Sequence, residues 1–71
     1  MKTITITTEF IKLQDLLKLA NLVSSGGEAK ARIQSGETRV NGEVCTQRGK
    51  KIRPGDSVSF AGAELAVSYA D

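Results

Sequence analysis

Apolar and polar residues change period several times along this chain, and each change marks a new element. Thr3-Ile4-Thr5-Ile6-Thr7 alternates with period two. That is the pattern of a strand with one buried face, here carrying Ile4 and Ile6. From Ile11 the period lengthens. Leu13, Leu16, Leu17 and Ala20 fall at helical spacing, while Lys12, Gln14 and Asp15 lie off the stripe. Asn21 weakens this helix, and Leu22-Val23 reads as a buried connection. Ser25-Gly26-Gly27-Glu28 opens a second helix as a capping box, with Ser25 as N-cap and Glu28 three residues on. Ala29 and Ile33 share its inner face, Lys30 and Arg32 flank that face on either side, and Gly36 terminates it.

The second half reads as short strands. Glu37 to Val40 and Glu43 to Thr46 flank Asn41-Gly42, a dipeptide suited to the positive φ values of a tight hairpin turn. Gln47-Arg48-Gly49-Lys50-Lys51 is polar, basic and interrupted by glycine, so a loop is expected. Ile52-Arg53 re-enters the fold before the turn Pro54-Gly55-Asp56. Ser57 to Phe60 alternates again, Ala61-Gly62-Ala63 turns the chain, and Leu65 and Val67 continue the sheet. The expected architecture is α+β: a strand, two helices, then short antiparallel strands. With 71 residues and no linker or repeat, residues 1–71 are expected to form a single domain. A chain this short buries only about 60% of its unfolded surface, so its core is committed to the fold.

Charge sharpens the picture. Between Lys30 and Arg53 seven bases (Lys30, Arg32, Arg39, Arg48, Lys50, Lys51 and Arg53) face only Glu37 and Glu43, a local balance of +5 within an overall +2. Basic residues gathered in one segment suggest an anionic partner. The chain has no His and a single Cys, Cys45, so the commonest general base, an internal disulfide and the usual zinc spacings are all absent. The carboxylates are scattered, and Glu28 and Asp56 already have capping and turn roles. An enzyme is therefore not expected, nor a metal or cofactor. No signal peptide or membrane-spanning stretch is readable, and a cytoplasmic location is the expectation. The glycines after Ser25 serve equally as a flexible connector and as backbone donors to a phosphate. They are not a Walker loop, because no Gly-Lys-Ser/Thr follows.

Four blocks in order, Lys12-Leu13-Gln14-Asp15-Leu16-Leu17, Leu22-Val23-Ser24-Ser25-Gly26-Gly27-Glu28-Ala29-Lys30, Gly36-Glu37-Thr38-Arg39-Val40-Asn41-Gly42 and Pro54-Gly55-Asp56-Ser57-Val58, resemble the RNA-binding domain named after small-subunit ribosomal protein S-four. This is also called the αL motif, and the wording is most similar to its short stand-alone YbcJ/YaaA-like subfamily. The resemblance covers about residues 11 to 60. It implies two helices packed on a small bent antiparallel sheet, with structured RNA along the helix pair and a basic hairpin loop. It further implies that Lys12, Ser25, Lys30, Arg39, Arg48, Lys50 and Lys51 face the RNA; Arg32 joins them as a base in the same capped helix, with nothing in the sequence to fix its direction. Many members carry Arg directly after the Ser of the second helix. Here that place is Gly26.

With few aromatics to stack on unpaired bases, contact by phosphate backbone and shape is expected. Ribosomal RNA, a ribosomal particle or tRNA, with possible contacts to ribosomal proteins, are the expected partners. The alternative is a protein-interaction adaptor on a ribosome-associated partner, with RNA binding weakened or lost.

Overall fold

A computed structural model describes residues 1–70. The chain runs through β1 (Lys2–Ile6), β2 (Ile11–Lys12), α1 (Leu13–Leu19), α2 (Gly26–Gln34), β3 (Thr38–Val40), β4 (Glu43–Val44), β5 (Lys51–Ile52), β6 (Ser57–Phe60) and β7 (Ala63–Tyr69). The α+β expectation holds. Five strands form one sheet in the order β1-β7-β6-β3-β4, and β2 pairs separately with β5. All pairs are antiparallel except β1 with β7, so the sheet is mixed. A parallel pair needs a long crossover, and here nearly the whole chain lies between its two strands. Period-two alternation gives a strand its buried face but not its direction.

Ile4, Ile6, Val40, Val58, Phe60, Leu65 and Val67 alternate inward from the sheet and meet Leu13, Leu16, Leu17, Ala29 and Ile33 from the helices in one core. The first helix begins at Leu13, the first residue of its apolar stripe, because Ile11 and Lys12 are extended and paired with Ile52 and Lys51. Both helices end in the same way. After α1, Asn21 takes φ +62, its amide donates to the Lys18 carbonyl, and the Leu22 amide donates to that of Leu17. After α2, Gly36 takes φ +86, with its amide on Ile33 and the Glu37 amide on Arg32. These paired bonds satisfy carbonyls that the last helical turn leaves free. Asn21 thus ends the first helix by adopting a left-handed backbone that Asn tolerates better than most residues.

The expected capping box is present in altered form. Ser25 Oγ accepts from the Glu28 amide at 3.1 Å, but the Glu28 carboxylate reaches back to Ser24, accepting from its amide at 2.8 Å and its hydroxyl at 2.9 Å. Arg32 joins this helix to the sheet. Its guanidinium donates to Glu37 at 2.9 Å, lies 3.7 Å from Glu28, and sits 4.6 Å over the Phe60 ring.

Asn41 and Asp56, from separate turns, form a second clasp. Asn41 donates through Nδ2 to Asp56 Oδ1 at 3.1 Å, while its Oδ1 accepts from the Ser57 amide at 2.9 Å. The other Asp56 oxygen accepts from the Arg53 amide at 2.8 Å. The Val-Asn-Gly and Pro-Gly-Asp blocks are therefore halves of one structural device.

Two consequences are measurable. The β6–β7 hairpin turns on Ala61 (φ +50) and Gly62 (φ +83), and a left-handed backbone strains Ala by about 1–2 kcal/mol. Ala61→Asn, which creates the favoured Asn-Gly turn, is expected to raise stability by about 0.5–1 kcal/mol in urea unfolding.

The second concerns acid. The amide hydrogen bond from Arg53 and then the Asn41 side chain hold Asp56 below its ordinary value of 3.8. Hydrogen bonds to the Ser24 backbone and hydroxyl lower Glu28, and bonds from Arg32 and then Ser35 lower Glu37, both from 4.5. Folding therefore favours the ionised forms. Their contribution is complete above the ordinary values and disappears as pH falls through the lowered ones. The melting temperature should hold steady down to about pH 5 and then decline. Asp56→Asn, which sets an amide N–H₂ against converging donors, should cost about 1–2 kcal/mol at neutral pH and flatten part of that decline.

Candidate nucleic-acid interface

The start of α1 has no side chain to cap it. Its N-cap residue is Lys12, in extended conformation, and no side-chain hydrogen bond meets the first turn. Backbone from the later basic loop does so instead. The Leu13 amide donates to the Lys50 carbonyl at 2.9 Å, and the Gln14 amide to that of Arg48 at 3.0 Å. Immediately beside these bonds, β2 and β5 place Lys12 directly opposite Lys51. Ile52, fully buried, anchors the far end of the loop, and the Lys50 amide closes a turn onto Gln47. The Lys51 ammonium rests 4.9 Å over the Phe10 ring.

Lys12 and three bases more than thirty positions later in the sequence are thereby brought to one end of one helix. Lys12, Arg48, Lys50 and Lys51 are all exposed, and none makes an ion pair among the described residues. Asp56 is the acid nearest in effect, since Lys50 is among the charges that lower its pKa. Beside the loop, an open groove of about 350 Å³ is lined by Val44, Cys45, Thr46, Gln47 and Lys50, among others. Its lining includes no second base.

The other residues singled out from the sequence are placed differently. Lys30 is exposed on α2 and has no ion-pair partner among the described residues. Ser25 is also exposed, with its hydroxyl accepting the Glu28 amide. Arg32 is held between Glu28 and Glu37, which together oppose its charge. Arg39 alternates with buried Thr38 and Val40, so it projects from the sheet face away from the helices, where it donates to the Gly42 carbonyl at 3.4 Å. Gly26 stands open: a Cβ added there would meet nothing within 4 Å.

Phe10 was not among the residues singled out, yet it supports one of the clustered lysines. Nothing in its sequence neighbourhood signals that contact, which joins residues forty positions apart. No group of three or more potential metal ligands exists among the described residues, and no helix among them is long and apolar enough to cross a membrane.

The family model of the S4 domain matches residues 4–68. The Escherichia coli K-12 protein YbcJ is 44% identical over 57 residues, covering 80% of this chain and 81% of the relative. A Bacillus subtilis strain 168 protein, RlbA, named as a probable ribosome maturation protein, is 44% identical over 59 residues, or 83% of each chain. The solution structure of Escherichia coli YbcJ, described as revealing an αL motif involved in RNA binding, superimposes with a TM-score of 0.74 at 39% identity. It covers 96% of this chain and 87% of that one. A matched core, a shared fold and identity sustained over four-fifths of the length place this chain in the S4 domain family.

Proposed function

We propose that this protein binds structured RNA through its phosphate backbone, using Lys12, Arg48, Lys50 and Lys51 as the principal contacts. The observation that carries this reading is the backbone lock between the loop and α1, which gathers four unpaired cations onto one exposed ridge. Cations held this way act together on a polyanion and release its counterions, which is the main source of affinity in such complexes. Lys30 and Ser25 on α2 extend the surface, and Arg39 serves a flanking strand of the RNA. Arg32 takes part chiefly by holding α2 against the sheet.

The aromatic residues favour duplex or folded RNA over unpaired bases. Phe60 is buried beneath Arg32 and one face of Phe10 is covered by Lys51, which leaves Tyr69 at the end of β7 as the well-exposed ring among the described residues, and a single ring makes no stacking platform. The descriptions of YbcJ and RlbA support the same class of partner, and ribosomal RNA, a ribosomal particle or tRNA fits it. The chemistry required is binding alone.

Charge reversal of Lys50 and Lys51 to Glu should abolish binding to purified ribosomal RNA in a filter or anisotropy assay. Its circular dichroism spectrum should stay that of the parent. Equal binding by the double variant would remove this site from consideration. Salt titration of the parent should give a log–log slope of about 0.9 per phosphate neutralised.

The open space at Gly26 supplies an opposite test. Gly26→Arg restores the cation that many family members carry after the N-cap Ser, and the structure has room for it. Affinity for the same RNA should rise about three- to tenfold, with a steeper salt slope. An unchanged affinity would mean that the start of α2 lies off the RNA path.

A further inference from the structure

Lys12 and Lys51 are register partners in a ladder only two residue pairs long. Directly opposed residues on antiparallel strands have Cβ atoms about 5 Å apart, and like charges placed so repel. Both lysines are exposed, neither has an acidic partner among the described residues, and Arg48 and Lys50 add positive charge nearby. The free protein nevertheless holds them together, through Ile11 against buried Ile52, the bonds from the Leu13 and Gln14 amides to the loop, and the seat of Lys51 on Phe10. The Leu13 and Gln14 amides are already occupied, so an anion arriving here meets the ammonium groups in place of those two donors.

We infer that Lys12 and Lys51 form a clamp for a single backbone phosphate, and that the protein accepts a loss of stability in its free state to keep this clamp assembled. The ligand class rests on the RNA-binding reading above; the repulsion does not. One phosphate between two ammonium groups turns the repulsion into two charge-assisted hydrogen bonds. Binding therefore also tightens the loop over the first turn of α1, whose amides depend on it.

The test uses the full chain and a double-mutant cycle of Lys12→Gln and Lys51→Gln. Without RNA and at low salt, Lys12→Gln should raise the melting temperature by about 1–4 °C. The gain should shrink with added salt and fall in the Lys51→Gln background to the smaller part due to Arg48 and Lys50. With purified ribosomal RNA as probe, each single variant should bind more weakly. The double variant should lose about one unit of log–log salt slope, because the pair neutralises only one phosphate. A loss near two units would show separate contacts and overturn the clamp. No rise in melting temperature for Lys12→Gln at low salt would overturn the stored repulsion. Failure of the parent to bind RNA would instead overturn the function proposed above and the clamp's ligand with it, while the RNA-free cycle would still decide whether the repulsion exists.

Discussion

A helix that begins on a lysine has free first-turn amides and no side chain at its cap with which to satisfy them. In this protein the carbonyls of Lys50 and Arg48 meet the amides of Leu13 and Gln14, so the capping group comes from a loop far away in sequence. That arrangement couples two things that a side-chain cap would have left separate. Through these two bonds the first turn of α1 and the seat of the loop support each other. Because carbonyls make these bonds, the side chains of Arg48 and Lys50 remain free for solvent or a ligand.

Elsewhere the fold uses polar groups to fasten elements and keeps them out of chemistry. Arg32 closes α2 onto the sheet through two carboxylates and an aromatic ring. Asn41 and Asp56 tie two turns together with a set of side-chain to backbone bonds. These are exposed or partly exposed interactions, each worth little alone, but they restrain the turns and the strand ends that the small core does not reach. The charges divide accordingly: the paired arginine holds the frame, and the bases near α1 make no ion pair among the described residues.

The blocks that resembled the S4 domain family prove to have two different physical roles. Ser25 with Glu28, Gly36, Asn41 and Asp56 are capping and turn residues, which any sequence folding this way needs at those places. Lys12 and the Arg48–Lys51 loop carry the electrostatics, and only the fold makes neighbours of them. Gly26 belongs to neither set. It leaves the start of α2 without a side-chain cation, so under the proposed function the ridge beside α1 carries more of the contact.

Local periodicity and turn chemistry by themselves determined most of the elements: the alternating Thr and Ile of β1, the Leu stripe of α1, the Ser25 cap, the Asn41-Gly42 turn and the strands after Pro54. Such signals act between residues a few positions apart, so they are visible in a linear reading. The tertiary structure alone decided the parallel pairing of β1 with β7, the two-residue strands β2 and β5, the engagement of Arg32 by Glu28 and Glu37, and the outward placement of Arg39 on the sheet. A strand of two residues has no period to detect, and strand direction leaves no trace in alternation. Which cations are free and which are paired depends on contacts between distant segments, and only the folded chain brings those segments together.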